Sequence, residues 1–340
     1  MLFLLAGCCI ACEDLLFEEN ASSRPRDNFD YLWNQARDRY SFFEYKNIDW
    51  DAVYTQYSPR VRNNMTEVEL FDVLFEMLNE LKDGHVNLFS PFNISRYEFQ
   101  LTAPENYNSR LIRDNYLRSN SFVTGAFIHD FIVPKKQDVT VGNQDIAYVR
   151  YGSFSRPVGG IDIGVLLSRY RNTKGMILDL RNNGGGSASN VFRILNYMTD
   201  RKVKLYDSYI KNGPNPDDFE GPQPASAEPQ GDFWYDKPVV VLVNRSSYSA
   251  TSFFALGARA LPGMTLMGDT TGGGLGAPNG GQLPNGWTYR FSVTQTISHD
   301  NQNFENGVPP DILIYMDELE SREGIDSIIE RAIQYIIQGS

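Results

Sequence analysis

Four short segments of this chain combine residue types that can do chemistry with a local pattern that could expose them. Asn244-Arg245-Ser246-Ser247-Tyr248-Ser249-Ala250-Thr251-Ser252 follows the apolar run Pro238–Val243 and precedes a helical stretch. A serine at such a junction stands exposed at the end of a sheet, with the next N–H pointing into the same space. That is the pairing a nucleophile and an oxyanion donor require, although a lone serine there is more often a helix cap. Asp179-Leu180-Arg181-Asn182-Asn183-Gly184-Gly185-Gly186 lies where a buried strand gives way to a helix. Its glycines let the backbone approach a ligand, and free N–H groups at a helix start favour an anion. The segment has neither a GKS/T triplet nor GxGxxG spacing, which argues against a nucleotide phosphate and leaves a transient oxyanion as the alternative. Lys82-Asp83-Gly84-His85 and Glu305-Asn306-Gly307-Val308-Pro309-Pro310-Asp311 complete the set. Taken singly, a histidine after a helix is more often structural, and the last segment is a turn.

Composition narrows the chemistry. The chain has 340 residues, of which 41% are hydrophobic and 21% charged, enough to bury a sizeable core. A formal net charge of -11 argues against a nucleic-acid partner. Cys8, Cys9 and Cys12 are the only cysteines, so the body of the chain holds neither a disulfide framework nor a thiolate nucleophile. His85, His129 and His299 are far apart and form no HExxH or Cys/His cluster. No metal and no cofactor is expected, and any hydrolysis should need neither metal nor nucleotide. Leu5-Ala6-Gly7-Cys8 looks like the lipobox of a bacterial lipoprotein signal, with Cys12 as the rival lipidation site. Residues 1–24 are therefore expected to be signal and tether, and the domain to be held at the cell envelope by a lipid anchor.

The elements that must position these residues are legible from periodicity. Helices are expected at Phe29–Tyr40, Trp50–Tyr57 and Thr66–Leu81. The last has a capping box, Thr66-x-x-Glu69, and an apolar stripe through Leu70, Leu74, Met77, Leu78 and Leu81. Gly84 reads as its C-cap. Residues 93–138 give no clear pattern. Strands then alternate with helices: strands at Asp145–Phe154, Gly175–Arg181, Val203–Ile210, Pro238–Val243 and Met264–Met267, helices at Ile161–Tyr170, Ala188–Met198 and Ala250–Leu261. Asn212–Gln230 reads as a Pro/Gly-rich loop and Gly272–Gly281 as a glycine-rich one. Trp287–Ile297 reads as strand, and Ile325–Ile337 as a closing amphipathic helix. This alternation is the mark of an α/β layered domain.

In this order the four segments resemble the C-terminal-processing and tricorn-type serine peptidases. The resemblance runs from the helical stretch at Phe29 to the closing helix. It rests on Asp83-Gly84-His85, Asp179–Gly186 as DxRxNxGG, Ser249-Ala250-Thr251-Ser252, the loop Gly268–Gly276 and the GVxPD-like Gly307–Asp311. It implies an α/β fold with a ClpP/crotonase-like core at 91–340 and a small N-terminal helical bundle at 25–90. It also implies a serine endopeptidase acting on peptide or protein substrates, with Ser249 as nucleophile, His85 as general base and Glu305 as its support. The N–H of Ala250 and that of Gly185 or Gly186 would form the oxyanion hole. Asp179, Arg181 and Asn183 would fix the glycine loop. Relatives that use a Ser–Lys dyad carry the lysine at the position of Gly274, and no lysine follows Lys237. The interval from Asn87 to Asp145 is too short for the PDZ domain of many relatives plus the core's own first strands. A catalytically inactive binding protein on the same fold is the alternative the resemblance allows.

Overall fold

Pro25 opens the first helix, where its missing N–H removes a donor that would have no partner anyway. This helix, α1 (Pro25–Arg39), is followed by α2 (Phe43–Lys46), α3 (Trp50–Tyr57) and α4 (Glu67–Asn79) in a computed structural model that describes residues 24–98, 103–117, 121–136, 140–231 and 233–339. Cys8 and Cys12 lie outside these residues. The capping box is formed as expected: the Thr66 hydroxyl accepts the Glu69 N–H, and Glu69 reaches back to the Thr66 N–H at 2.7 Å. The stripe of α4 is buried, with Leu74 and Met77 fully enclosed. Gly84 is not the C-cap. The helix ends at Asn79 and runs down through i to i+3 turns to Lys82, which takes the left-handed conformation at φ 47°. The turn that follows is held by Asp83, whose carboxylate accepts the His85 N–H at 2.8 Å.

Strand β1 (Asn87–Phe89) comes next, then α5 (Ser109–Asn115), β2 (Phe122–Thr124), β3 (Phe127–Ile132) and β4 (Ile146–Tyr151). The alternation then runs through α6 (Gly160–Tyr170), β5 (Gly175–Asp179), α7 (Ala188–Leu195), β6 (Val203–Lys211), β7 (Phe219–Ala227), β8 (Val239–Val243), α8 (Ala250–Ala260) and β9 (Met264–Gly268). The chain closes with β10 (Pro278–Gln282), β11 (Thr288–Ser292), β12 (Thr294–Ser298), β13 (Ile312–Leu313), α9 (Glu318–Arg322) and α10 (Ser327–Gln338).

Three of these elements depart from the sequence reading. Strand β7 occupies the expected Pro/Gly loop. It is the edge strand of a sheet ordered β12-β6-β7, where prolines are tolerated because one row of backbone groups needs no partner. Strand β10, Pro278-Asn279-Gly280-Gly281-Gln282, falls inside the expected glycine loop. Its glycines are required, since a Cβ at Gly280 would sit 1.7 Å from the Tyr289 carbonyl oxygen of the paired strand. The single strand expected at Trp287–Ile297 is two, which part at Val293 and join different sheets.

The chain divides into two compact units. One comprises Met1–Phe99, Lys211–Phe219 and Ala277–Val293; the other comprises Gln100–Ile210, Glu220–Gly276 and Thr294–Ser340. The division differs from a linear split at residue 90, because the helical unit also takes the hairpin β10–β11. That hairpin joins β1 in a small antiparallel sheet, and its Trp287, Tyr289 and Phe291 pack in one core with Leu32, Phe71 and Leu74 of the helices.

The second unit is built on a seven-stranded sheet ordered β13-β9-β8-β5-β4-β3-β2, parallel from β13 to β4 and antiparallel beyond. Its central strands are buried on both faces, so they read as continuous apolar runs. In β8, Val239, Val241 and Val243 face a core shared with α6, α7 and α8, while Val240 and Leu242 face a core shared with α5 and α10. Residues 122–132, unassigned from sequence, supply two strands of this sheet.

Leu178, at the middle of β5, is 2% exposed. Leu178→Ala is expected to lower the unfolding free energy by about 2–5 kcal/mol in urea titrations. A loss well under ~1 kcal/mol would contradict its place at the centre of the core.

Candidate active site

Ser249 links β8 to α8 in a conformation that L-residues avoid, φ 56° and ψ -121°. Such a backbone costs on the order of 1–3 kcal/mol and persists only where the surroundings impose it. Here they do. The Ser249 N–H donates to the Gly273 carbonyl at 2.9 Å, and the Tyr248 N–H to the Asn183 carbonyl at 3.1 Å. The Ser249 carbonyl accepts the Phe253 N–H at 3.0 Å. Two residues upstream, the Ser247 hydroxyl donates to the Leu180 carbonyl, tying the turn to the end of β5. The result is a half-buried serine thrust out at the carboxyl end of a parallel strand, the strand–turn–helix geometry of a nucleophile elbow.

The glycine loop after β5 lies directly against this serine. A Cβ at Gly185 would sit 2.9 Å from both the Ala250 nitrogen and the Ser249 Cβ, so only glycine fits there. Among the described residues the Ala250 N–H donates to no acceptor, which leaves it open at the start of α8. Gly185 is different. Its N–H donates to the Asn183 side-chain oxygen at 3.0 Å and is thereby engaged. Among the described residues the Gly186 N–H donates to no acceptor.

Asp179, Arg181 and Asn183 are the frame of this loop. Asn183 donates its side-chain amide to the Tyr151 carbonyl, and its own carbonyl accepts both the Tyr248 N–H and the Thr251 hydroxyl. Arg181 is fully buried and makes a paired contact with Asp179, at 3.0 and 2.6 Å. Burial opposes charge on both, but each holds the other ionised: Arg181 and the nearby Arg150 pull the Asp179 carboxyl below its usual range, and Asp179 and Asp326 raise Arg181.

Glu305 belongs to the same unit. One oxygen of its carboxylate accepts the N–H groups of Leu275 and Gly276, at 2.7 and 3.0 Å. Its main-chain carbonyl accepts the Gly274 N–H. The glycine loop 272–276 thus connects Ser249, through Gly273, to Glu305. The GVxPD-like stretch docks the same loop. Val308 and Thr271 exchange backbone and hydroxyl hydrogen bonds, and Asp311 clamps Leu266 of β9. At Gly274 the backbone is left-handed, φ 75°, and a Cβ would fall 2.5 Å from the ring of Tyr248. The aromatic ring fills the space where the dyad relatives would place a side chain. Neither the wedge made by Tyr248 nor the brace from Arg245 to the Thr271 carbonyl was apparent in the sequence, because both depend on loops from different strands meeting.

His85 is 94% buried in the first unit, at the exit of the turn that Asp83 organises; its relative exposure is 6%. Asp83 is enclosed beside Lys46 at 3.4 Å and accepts the Tyr40 hydroxyl at 3.1 Å. Burial would raise the Asp83 carboxyl, but the Lys46 ammonium, the His85 ring and N–H, and the Ser292 hydroxyl together hold it below its usual range. The other histidines have different settings. His129 bonds Thr124 and Tyr170 through its two ring nitrogens, and burial with the Arg169 charge lowers it to about 4. His299 is exposed. Among the described residues no three His, Cys, Asp or Glu side chains could share a metal ion.

Known proteins resemble the chain in sequence and in fold. Residues 145–314 match the model of peptidase family S41, and residues 23–79 match that of the tricorn protease C1 domain. A candidate peptidase from Parabacteroides merdae has a similar solved structure, with 37% sequence identity, 93% of this chain and 98% of the other covered, and a TM-score of 0.82. The carboxy-terminal processing protease CtpA of Bacillus subtilis is 27% identical over 143 residues, 42% of this chain. That match spans only 29% of the CtpA length. The fold is also that of mature CPAF, at a TM-score of 0.66 and 13% identity over 94% of this chain and 99% of that one.

The depressed Asp83 carboxyl sets a pH dependence. Its stabilisation is present above the unfolded carboxyl pKa and is lost as pH falls through the lower folded value. Wild type is expected to exceed Asp83→Asn by roughly 3–5 kcal/mol at about pH 6, with the gap closing below about pH 4. Urea titrations across that range check it. A gap independent of pH would show that ionised Asp83 is not the source.

Proposed function

The chain belongs to peptidase family S41, and from that premise we propose that it is a serine endopeptidase with Ser249 as nucleophile, His85 as general base and Glu305 as the support of that base. The observation that carries this reading is the strained Ser249 turn, with the open N–H of Ala250 beside it. The Ser249 side chain makes no cap hydrogen bond to α8, and a simple helix cap would not need the strained backbone.

In the proposed cycle the Ser249 hydroxyl attacks the scissile carbonyl carbon as the His85 imidazole takes its proton. The carbonyl oxygen becomes an oxyanion, held by the N–H groups of Ala250 and Gly186. His85 then returns the proton to the leaving amine, the C–N bond breaks, and an acyl ester on Ser249 remains. Water activated by the same imidazole hydrolyses that ester. Glu305 suits the supporting role because the N–H groups of Leu275 and Gly276 fix its carboxylate. Two donors on one oxygen hold that carboxylate in a single orientation. Asp83 suits a second role, fixing the main chain at His85 through the hydrogen bond to its N–H.

Profiling on a mixed peptide library, with a fluorophosphonate as active-site label, tests the assignment. Ser249→Ala and His85→Ala should each lose about 10³-fold or more in turnover, by similar amounts because the pair acts as a unit. Wild-type activity should rise with pH as the imidazole loses its proton. Near-wild-type turnover in His85→Ala beside an inactive Ser249→Ala would refute the histidine base. A folded wild type that neither cleaves nor takes the label would favour a binding role on the same fold.

We also propose export and lipidation at Cys8, or at Cys12, from the lipobox-like Leu5-Ala6-Gly7-Cys8. This would hold the domain at the cell envelope, where its substrates would be peptides or proteins. Metabolic labelling with palmitate is expected to mark the full-length chain and to be lost when both cysteines are replaced. Absence of label on the intact chain would overturn the anchor.

A further inference from the structure

The closing helix contributes a buried charge to the frame of the glycine loop. Asp326, fully buried, caps α10 by accepting the N–H groups of Ile328 and Ile329 at 3.1 and 3.0 Å. The same carboxylate accepts one arm of the Arg181 guanidinium with both oxygens, at 3.2 and 3.0 Å. The opposite side of that guanidinium is taken by Asp179, and the Asn106 carbonyl accepts a further bond at 3.1 Å. Asp326 is itself pinned. Its N–H donates to the Tyr116 hydroxyl at 3.0 Å, and that hydroxyl donates to Glu330 at 2.6 Å. Glu330 is 2% exposed and also accepts the N–H groups of Lys135 and Lys136.

Stability alone is a poor reason for such a cluster, since a buried ionic triad can often be replaced by apolar groups of similar volume at no cost. What two carboxylates gripping one planar guanidinium do supply is a single orientation. The consequence is local. Arg181 lies two residues before Asn183, and Asn183 holds the Ser249 turn through its carbonyl and the Gly185 N–H through its side chain.

We infer that α10 is a working part of the oxyanion loop, with Asp326 as a positioning residue that sets Arg181 and, through Asn183, the register of Gly185–Gly186 against Ser249. The inference rests on the reading of Ser249 as nucleophile for its kinetic consequence, but not for its structural one. Asp326 touches no reacting atom. Its removal should slow the chemistry at each folded site rather than merely reduce the number of folded sites.

The test is fluorophosphonate labelling of the full chain, comparing wild type with Asp326→Asn, together with amide hydrogen exchange over residues 182–187. Asn keeps the size and can still cap α10, while losing the charge that grips Arg181. The expected result is near-complete labelling with a rate constant per site lowered by about 10-fold or more, and faster exchange in the 182–187 segment. Asp326→Glu, which restores the charge on a longer arm, should recover part of the rate. An unchanged rate per labelled site, with exchange altered only in α10, would overturn the inference. If Asp326→Asn does not fold, Asp326→Glu decides instead, because it keeps the charge but shifts its grip on Arg181: a slower rate per labelled site with faster exchange over residues 182–187 supports the inference, and an unchanged rate with unchanged exchange there overturns it. If wild type itself takes no label, the nucleophile assignment has failed, and the exchange of residues 182–187 alone decides this proposal.

Discussion

An L-residue held at φ 56° and ψ -121° is the constraint around which the second unit is organised. Ser249 cannot rest there unaided, and no single bond would hold it. Its N–H is taken by Gly273, the N–H before it by Asn183, and its carbonyl by the first turn of α8. These partners follow the carboxyl ends of different strands of the parallel sheet: Asn183 after β5, α8 after β8 and Gly273 after β9. The seven-stranded sheet is thus less a container for the site than the jig that brings β5, β8 and β9 to one edge. The glycines follow from the same constraint. At 185 and 273 a Cβ would meet the serine turn or the Glu305 carbonyl, so close approach of three backbones leaves room for nothing larger.

Two buried carboxylates on separate units serve related ends. Asp179 and Asp83 are both enclosed, both kept ionised by a cation against the cost of burial, and both accept a main-chain N–H two residues on. In each case the side chain folds its own backbone into a tight turn just before a segment that the proposed site uses: the glycine loop after Asp179, and His85 after Asp83. A neutral hydrogen-bonding side chain could make the same turn, but a charged one with a dedicated partner makes it costly to leave.

Much of this was legible in the sequence because it is local. The capping box at Thr66, the two-sided apolar strands β5 and β8, and the order of the four motifs can be read along the chain. The structural role of Asn183 came instead from the resemblance of Asp179–Gly186 to the family's DxRxNxGG segment. What escaped was non-local. Strand β10 has no strand-forming residue, and becomes a strand only because Tyr289 and Arg290 lie opposite. Strand β7 carries two prolines and is permitted by an edge that sequence cannot announce. The break at Val293 separates two stretches with one continuous β pattern, and only the partner strands tell them apart. Gly84 looked like a helix cap because glycine usually is one. The left-handed residue is Lys82, since the Asp83 side chain had already fixed the turn at Gly84. The bond from the Gly185 N–H to the Asn183 side chain was hidden for a similar reason, because it depends on where that side chain points.

The identity of the base can be argued from volume and contacts. A lysine at the dyad position would have to grow from residue 274, where the backbone is left-handed and the ring of Tyr248 already occupies the path of a Cβ. Tyr248 is adjacent in sequence to the serine and held by the same Asn183 carbonyl, so it cannot withdraw without dismantling the turn. On the proposed reading of Ser249 as nucleophile, its base is then a group other than residue 274. His129 is a poor one, since both ring nitrogens are bonded within its own strand–helix layer and its lowered pKa makes it a weak proton acceptor. His299 lies exposed just beyond β12, without the burial that fixes an imidazole in one orientation. His85 is buried, and its main chain is set by a carboxylate that is itself locked to a cation. A general base has to wait in one place through many encounters with substrate, and the proposal of His85 rests on this main-chain restraint and on the poor fit of the other two imidazoles.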